Sequence, residues 1–528
     1  RVIAETNASA QTFSISPFAE ISIPEEAFIG TTVTGNISVS TTWSIEGSPY
    51  SLPEGLIIED DAVLTIEPGV IVGIGPRQSI IIDGGLEAVG TMNDSIYFVP
   101  LNPDTNWGAF QLDRSSDEIN VSFVNMTFSG NPESTLPLGA LFTIYESNVN
   151  IFDSKLSNGV RGVIDAYGGN VHCERIDFHN FIDEQVLLHY GSAIFRSCKF
   201  TNLYLTQGDI IDLNQIHAAG EISRCEFFGG GDDLLDLGGV SNLEISCNKF
   251  LYSNDKGISI DGDSHSLSIY NNFVLDCNIG IAIKTMSSAE LFNNVIASND
   301  TGFAILREPG LSGVVRIKNS VLWNNGLEVY HFLNDTVDIQ YSYVEGNDVY
   351  PGTGNLNSDP MFVDPWNDYF YLCQGSPLID AGYGTGYPEL DFIDSARTDI
   401  ESIPNTGAGE IDYVDIGLYE YYETNLSAPL IEDATPSSYL LLGNYPNPFN
   451  SVTKINFTVG SGDWAEITIY NVLGRKVYSR EFKDIVPGKY SMLWNGRDDG
   501  GNPLASGILF CRLKAERGTR ISKIVLLK

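Results

Sequence analysis

One spacing constrains the fold of this 528-residue chain more than any other feature. Between Asn242 and Ala297, Asn248, Asn271 and Asn293 recur at intervals of 23 and 22 residues. A short run that alternates between apolar and polar residues precedes each of these asparagines. A fixed period of this length, carried by strand-like segments, is typical of a stacked solenoid. The spacing therefore predicts coils of about 22 residues, each with three short strands and three bends.

The same period extends over a much longer part of the chain. A bulky apolar residue follows each alternating run, at intervals of 22 to 27 residues. In several coils the position two residues before the bulky residue is an asparagine. This predicts an inner ladder of asparagines, because side-chain amides on successive coils can bond to one another. The aligned bulky residues are Leu156, Phe178, Phe200, Phe227, Phe250, Phe273, Val295, Val321 and Tyr343, and the predicted ladder is Asn248, Asn271, Asn293 and Asn319.

Four phrases resemble segments of secreted right-handed parallel β-helix proteins, the pectate-lyase-like repeat family. Leu64–Val70 and Ile80–Gly90 resemble the entry segment of such proteins. Asn355–Gly382 and Asp415–Glu420 resemble their closing segment. The resemblance implies an all-β fold in which a right-handed parallel β-helix is the main body.

The last 88 or so residues resemble the C-terminal sorting domain of proteins exported by the type IX secretion system. The matching motif residues are Asn444, Pro446, Asn447, Pro448, Phe449, Gly474, Trp494 and Gly496. About seven strand-like runs with Gly-rich turns predict a small Ig-like β-sandwich here. The resemblance implies Sec and type IX export to the cell surface or extracellular space, with the type IX machinery as a partner.

These patterns divide the chain into five parts. We expect residues 1–42 to form an extended arm, 43–350 the β-helix with clear repeats over 149–347, 351–423 a capping segment, 424–440 a linker and 441–528 the sorting domain.

Composition excludes several classes of function. The formal net charge is −39, which disfavours nucleic acid because phosphate backbones require a basic surface. The sequence contains no run of eighteen apolar residues, so no transmembrane segment is predicted. The seven cysteines contain no CxxC pair and are odd in number, so neither a zinc site nor a disulfide framework is predicted.

Asp232, Asp233 and Asp236 form the strongest candidate for catalysis. Polygalacturonases of this fold carry paired aspartates and an Arg-Ile-Lys triplet, and the chain has such a triplet at Arg316–Lys318. Glycoside hydrolysis needs two carboxyl groups with different protonation states. The Gly-His-Gly and Asn-Thr-Asp phrases of those enzymes are absent, which favours a polar turn between coils.

A lyase would instead need a basic residue and carboxylates that hold Ca²⁺. Asp255, Lys256 and Lys284 are candidates for the chemistry, and Asp261 and Asp263 are candidate Ca²⁺ ligands. An Asp-Gly-Asp turn has the same composition for backbone reasons alone. No other cofactor is predicted.

Aromatic residues near the last coils provide a candidate surface for sugar rings, with packing of the end cap as the alternative. They are Tyr341, Tyr343, Tyr350, Trp366, Tyr369 and Tyr371.

Taken together, the sequence favours a non-catalytic surface, matrix, fibre-forming or adhesive protein that binds itself or polysaccharide. The alternatives are a polysaccharide lyase or glycoside hydrolase, and a carbohydrate-binding protein without turnover.

Overall fold

The chain forms two compact units. In the described part of the chain, the first unit runs to Pro360 and also includes Pro377–Glu420. The second unit comprises Met361–Ser376 and the described residues after Glu420. The computed structural model describes residues 30–102, 105–115, 119–127, 140–157, 162–179, 181, 184–202, 208–306, 313–331, 337–365, 369–422, 440–445, 453–459, 464–471, 474–483, 488–500, 502, 504–515 and 518–526.

Three parallel sheets of 14, 12 and 13 strands build the first unit. The chain passes through them in a fixed order, so every strand except those at the two ends of a sheet pairs with its equivalents one coil before and one coil after. This confirms the predicted all-β parallel β-helix.

The first sheet contains Thr31–Thr32, Tyr50–Leu52, Ile71–Ile74, Ile96–Pro100, Val124–Thr127, Lys155–Ser157, Asp177–His179, Lys199–Thr201, Glu226–Gly230, Lys249–Ser253, Phe273–Leu275, Val295–Ala297, Val321–Trp323 and Tyr343–Val344. The second sheet contains Leu56–Ile58, Ile80–Ile82, Phe110–Asp113, Phe142–Tyr145, Ile164–Tyr167, Val186–His189, Ile211–Asn214, Leu235–Gly238, Lys256–Asp261, Ile279–Ile283, Thr301–Ile305 and Leu327–Tyr330. The third sheet contains Thr41–Trp43, Val63–Ile66, Gly85–Val89, Ile119–Ser122, Asn148–Phe152, Asn170–Glu174, Ser192–Arg196, Gly220–Ser223, Leu243–Ser246, Leu267–Tyr270, Ala289–Phe292, Val315–Lys318 and Val337–Gln340. A 3₁₀ turn spans Ile45–Gly47.

Alternation along each strand decides which side chains enter the core. In Ile211–Asn214 the two apolar residues are buried, and the two polar residues face outward. Phe178, Phe200, Phe227 and Phe250 stack inside the solenoid with ring centroids 4.5–4.8 Å apart. Burial of a side chain of this size contributes about 1.5–3 kcal/mol, so the predicted phenylalanine stack is a major part of the core.

The inner asparagine ladder differs from the sequence prediction beyond Asn248. Asn248 Oδ1 accepts a hydrogen bond from Cys225 N at 2.8 Å, and the next rungs are Asn272 and Asn294. The backbone N–H of each rung donates to the side-chain oxygen of the next, at 2.9–3.0 Å. Asn272 and Asn294 are fully buried. The inner ladder is therefore shifted by one residue from the predicted positions.

Asn271, Asn293 and Asn319 lie instead at the bend between the third and first sheets. Their φ angles of 51–52° fall in the left-handed region, which asparagine tolerates better than most residues. In Asn271-Asn272 and Asn293-Asn294 the first asparagine lies at the bend and the second forms the rung of the ladder. The two positions have the same spacing from coil to coil, so the spacing alone does not distinguish them. The same one-residue shift in register places Phe273 on the outer side of its strand, because the core residue Phe250 pairs with Val274 and not with Phe273. Val295, Val321 and Tyr343 continue that outer position.

The closing part of the first unit lies against the outside of these bends. Asn271 Nδ2 donates to Leu390 O at 2.8 Å, and Asn293 Nδ2 donates to the carbonyls of Asp415 and Gly417 at 3.0 Å. Asn319 Nδ2 donates to Tyr383 O, also at 3.0 Å. Short strands at Tyr383–Gly384 and Ala408–Gly409 pair within this segment. Asn271, Asn293 and Asn319, which were predicted as ladder residues, thus hold the segment 377–420 on the solenoid.

Both ends of the solenoid show how far the coils extend. Thr31 pairs with Tyr50, so the first described coil begins inside the segment predicted as an arm; residues 1–29 of that segment lie outside the described part. At the other end, Asn355 Oδ1 accepts from Ser342 N at 3.1 Å and continues the inner ladder.

The second unit contains a hairpin and a sandwich. Phe362–Asp364 pairs with Tyr369–Leu372 in antiparallel orientation. The sandwich strands form sheets of three and four strands around one apolar cluster that includes Phe457, Trp494 and Ile467. In the described residues its strands are Leu440–Tyr445, Thr453–Val459, Trp464–Asn471, Lys476–Lys483, Gly488–Trp494, Gly507–Ala515 and Gly518–Leu526.

The cysteines are free, as the sequence indicated. Cys173, Cys198, Cys225 and Cys277 are buried in the solenoid, where they act as small apolar residues. Among the described residues, no helix has the length and hydrophobicity that a bilayer crossing requires.

Candidate functional site

The outer face of the second sheet brings most of the candidate residues onto one surface. Two outward positions repeat on each strand between residues 110 and 283. One column includes Asp165, Leu187, Asp212, Asp236 and Ser259, which pair in register from strand to strand. Neighbouring strands are about 4.8 Å apart, so side chains repeat along each column at that interval. In this column Ser259 is fully buried, and the four residues before it are partly exposed.

Five aspartates of two successive coils form an acidic cluster on this face: Asp209, Asp212, Asp232, Asp233 and Asp236. Carboxylate oxygens of Asp209, Asp232 and Asp233 lie within 4.8 Å of one another, and so do those of Asp209, Asp212 and Asp236. Oxygen ligands of one Ca²⁺ lie about 2.3–2.6 Å from the ion, so separations of this size suit a shared cation. Asp209 belongs to both groups and lies at the centre of the cluster.

Backbone hydrogen bonds position the cluster along a bend. Asp209 Oδ1 accepts from Asp233 N at 2.9 Å, and Asp233 Oδ1 accepts from Lys256 N at 3.0 Å. The Oδ1 atom of Asp236 is buried and has no hydrogen-bond partner among the described residues. The carboxylates of Asp209 and Asp233 are therefore held by the coil itself, whereas Asp236 Oδ1 lies beside them without such a bond.

Burial and mutual repulsion raise the pKa values of the cluster. Desolvation, with Asp233 as the largest charged contributor, raises the pKa of Asp209 to about 8. Burial is the main cause, and the negative charge of Asp236 the second, that raises the pKa of Asp212 to about 6. Desolvation raises the pKa of Asp233 to about 6, although Lys256 opposes the shift. At neutral pH the cluster therefore contains a protonated Asp209 beside ionised carboxylates.

Lys256 is the counter-charge of the cluster. Its buried Nζ lies 3.1 Å from Asp233 Oδ1 and 2.5 Å from Asp255 Oδ2. Burial lowers the pKa of Lys256, but the two carboxylates outweigh it and the pKa is raised overall. A lysine that abstracts a proton must be neutral, so this residue stabilises carboxylates and is a poor base.

Stacked aromatic rings lie on the same face, towards the N-terminal coils. Tyr145 and Tyr167 are paired in register and nearly parallel, with centroids 5.6 Å apart. Tyr190 meets Tyr167 edge-on at 5.1 Å. Tyr167 and Tyr190 are 42% and 47% exposed, whereas apolar side chains of this size are usually covered. We call Tyr145, Tyr167 and Tyr190 the tyrosine row.

Sequence reasoning found part of the acidic cluster and missed the rest. Asp232, Asp233 and Asp236 come together, but Asp209 and Asp212 were not predicted. The signal was present, because Asp-Ile-Ile-Asp-Leu at 209–213 matches Asp-Leu-Leu-Asp-Leu at 233–237 one coil later. The tyrosine row was also missed, since its members precede the regular asparagine repeat.

Other predicted candidates lie apart from the cluster. Arg316–Lys318 belongs to the third sheet, where Ile317 is in the core and Arg316 pairs with Glu290 at 2.9 Å. Lys284 follows Ile283, and the register places it beside Asp261 on the second sheet. Asp261 Oδ1 accepts from Gly262 N, and Asp263 Oδ1 accepts from Met286 N. These two carboxylates belong to neither close group of described acidic residues.

The C-terminal aromatic candidates are mostly packed. Tyr343 and Tyr371 are buried, and Tyr369 is exposed. Tyr341 contacts Tyr383, and Tyr350 lies 3.5 Å from His331 Nε2. Trp366 lies outside the described residues.

The sorting-domain motif forms turns and part of the sandwich core. Gly474 has φ +73° in the turn between two antiparallel strands, and Gly496 has φ +62°. Trp494 is buried, and its Nε1 donates to Arg497 O at 3.0 Å. The backbone of Asn444 pairs with Ile455, while residues 446–449 of the motif lie outside the described residues.

Comparisons with protein families agree with both parts of the chain. Residues 108–326 match the family described as "Right handed beta helix region". The main body of the chain is therefore a right-handed parallel β-helix. Residues 444–527 match the family described as "Secretion system C-terminal sorting domain". It is a protein that the type IX secretion system exports to the cell surface or extracellular space.

No curated protein matches the chain. Among solved structures, PorZ of the Porphyromonas gingivalis type IX secretion system is 20% identical over 18% of this chain, with TM-score 0.14, and the match spans 13% of PorZ. The periplasmic alginate epimerase AlgG is 14% identical over 59% of this chain and 75% of its own, with TM-score 0.37. Dettilon tailspike protein is 11% identical over 84% and 87% of the two chains, with TM-score 0.29.

Proposed function

We propose that this exported β-helix is a non-catalytic adhesive protein that binds polysaccharide on the outer face of its second sheet. The observation that carries the proposal is the tyrosine row. Tyr145 and Tyr167 repeat at the coil spacing but cover each other's faces, and Arg114 lies over Tyr145. The row therefore offers an extended sugar chain its ring edges and hydroxyl groups, together with the exposed surface of Tyr190.

The neighbouring polar residues support an elongated binding surface. The register continues from Tyr145 and Tyr167 to His189 and Asn214 on the following strands. Hydroxyl groups of a glycan find hydrogen-bond donors and acceptors in such side chains. The nearby acidic cluster disfavours a polyanionic chain, so we expect neutral or amine-bearing glycans.

Three features favour binding over turnover. Lys256 is held by two carboxylates. Arg316 lies on a different sheet from the acidic cluster. The aspartate oxygens lie within 4.8 Å of one another, which is much closer than the about 6.5–9.5 Å of an inverting glycosidase and slightly closer than the about 5–5.5 Å of a retaining one.

A glycan array with the purified full chain tests the proposal, followed by titration of each glycan that binds. We expect the double variant Tyr167→Ala/Tyr190→Ala to weaken binding at least tenfold. Tyr369→Ala is the matched control, because Tyr369 is 44% exposed but lies in the second unit. Equal loss in both variants, or full binding by the double variant, would refute the assignment. Sedimentation velocity of the same samples measures self-association, which a fibre-forming role requires.

A glycoside hydrolase is the second candidate function. Its supporting observation is the protonated Asp209 beside the ionised Asp212, since an acid and a base with separated pKa values are the working pair of such enzymes. Reducing-end assays on the glycans that bind distinguish the two functions. Hydrolysis that is lost in Asp209→Asn and retained in Asp255→Asn would establish the enzyme and overturn the non-catalytic proposal.

A further inference from the structure

Three carboxylates of the acidic cluster lie together without a counter-charge. Oxygens of Asp209, Asp212 and Asp236 lie within 4.8 Å of one another. In the other close group of the cluster, Asp233 is paired with Lys256 Nζ at 3.1 Å. Within the described part of the chain, no lysine or arginine forms an ion pair with Asp209, Asp212 or Asp236. This group therefore resembles the other with its ammonium removed.

Ser259 lies at the closed end of this group. It pairs in register with Asp236 on the neighbouring strand, and its side chain points to the same outer side because Ile258 and Ile260 enter the core. Ser259 has no exposed surface, yet its Oγ has no hydrogen-bond partner in the residues that the structure describes. The Oδ1 atom of Asp236 is in the same position. Buried polar atoms without partners are costly, so both need a partner that the chain does not supply.

The geometry of the three carboxylates suits a primary ammonium group. Three oxygens with separations of up to 4.8 Å have a common centre within about 2.8 Å of each, which is an ordinary N–H···O distance. An ammonium has three donors for the three carboxylates and compensates their charge. Asp209 Oδ1 accepts one hydrogen bond from the chain, and Asp212 Oδ1 accepts one from Asn214. A carboxylate can accept about four, so both retain capacity for a ligand.

We propose that Asp209, Asp212 and Asp236 bind the ammonium group of an amino sugar, so that the polysaccharide is a hexosamine polymer with free amines. This specificity rests on the proposed glycan-binding function. The strand of Asp212 lies two strands beyond that of Tyr167, or about 10 Å along the sheet, so a chain of a few sugar rings contacts both. The carboxylates distinguish a free amine from a hydroxyl or N-acetyl group, since only the amine carries a positive charge.

Calorimetric titration of the full chain with three pentasaccharides tests the site. They have the same linkage and consist of glucosamine, N-acetylglucosamine or glucose. We expect the glucosamine oligomer to bind at least tenfold more tightly than the other two, and Asp212→Asn to remove this preference. Asparagine at this position can still accept the hydrogen bond from Asn214. Asp177→Asn is the matched control, because Asp177 is also partly exposed but lies on the first sheet, and this variant should keep the preference.

The outcomes separate this proposal from the proposed function. Equal affinities for the three pentasaccharides would overturn the amine site and leave glycan binding intact, whereas failure of all three to bind would overturn both. A preference that persists in Asp212→Asn, or that Asp177→Asn also loses, would overturn the site in favour of the overall negative charge.

Titration with Ca²⁺ provides a further check on the same cluster. One bound Ca²⁺ per chain that is lost in Asp212→Asn would identify a metal site and overturn the amine site. Should Asp212→Asn fail to fold, Asp236→Asn provides the same comparisons with the same expected loss of preference.

Discussion

Replacement of Asn272 by alanine tests the inner ladder of the solenoid. The Asn272 amide accepts from Asn248 N and Nδ2, both at 3.0 Å, and donates to Ile245 O at 2.8 Å. Alanine leaves the Asn248 N–H buried without this acceptor and removes the bonds to Asn248 Nδ2 and Ile245 O. A buried unsatisfied group costs about 1–3 kcal/mol, so we expect at least that loss in the free energy of unfolding.

The neighbouring residue provides the control. Asn271 has φ +52° at the bend, and its Nδ2 donates to Leu390 O at 2.8 Å. Glycine adopts this backbone conformation without strain, so Asn271→Gly removes this hydrogen bond and the longer one, 3.5 Å, that Arg397 donates to Asn271 Oδ1. We expect it to cost about 0.5–1.5 kcal/mol.

Urea unfolding followed by circular dichroism measures both variants, and hydrogen–deuterium exchange locates the change. In Asn272→Ala, faster exchange is expected in the strands Leu243–Ser246 and Leu267–Tyr270, which flank the lost amide. In Asn271→Gly, it is expected in the segment 377–420. The ladder assignment is wrong if Asn271→Gly is the more destabilising substitution, because that order would place Asn271 on the inside.

Three further outcomes are expected. Because the pKa of Asp209 is about 8 in the fold and about 3.9 in an unfolded chain, the contribution of Asp209 to stability in EDTA is greatest below about pH 4 and declines towards pH 8 by at most about 1.4 kcal/mol per pH unit. Asp209→Asn should flatten that profile in urea titrations at several pH values, and an unchanged slope would contradict the assignment. Lys256→Ala leaves Asp233 buried and unpaired, so we expect a loss of about 3–5 kcal/mol in urea unfolding, partly recovered in Lys256→Met/Asp233→Asn. Removal of residues 441–528 should keep the protein inside the outer membrane in cell fractionation, and surface display of the shortened chain would contradict the role of the sorting domain.

The period and the sorting motif could be predicted because both depend on local patterns. Alternation in a segment such as Leu267–Tyr270 specifies a strand and its buried face without knowledge of its neighbours. The exact register could not be predicted, because Asn271-Asn272 and Asn293-Asn294 offer two equivalent residues per coil. Only the packing of the segment 377–420 against the first residue of each pair separates bend from ladder.

The acidic cluster shows why site prediction in a solenoid depends on register. Asp212 and Asp236 are 24 residues apart in the chain but face each other on neighbouring strands. A sequence window that finds Asp232-Asp233 sees an ordinary polar turn, since its partners belong to the previous coil. Superposition of coils, with Asp209–Leu213 placed over Asp233–Leu237, brings the same carboxylates together from the sequence alone.

Asp380 marks the limit of that approach, because it belongs to no repeat. Its burial depends on a segment that leaves the last coil and returns along the outside of earlier ones, so no spacing relates it to Asp399 or Asp412. The sequence signals around it, a turn and scattered acidic residues, resemble those of Asp261 and Asp263, whose carboxylates accept backbone hydrogen bonds. Asp380 differs from both in having no exposed surface. Burial of this kind follows from the path of a non-repeating segment, and it is therefore visible only in the fold.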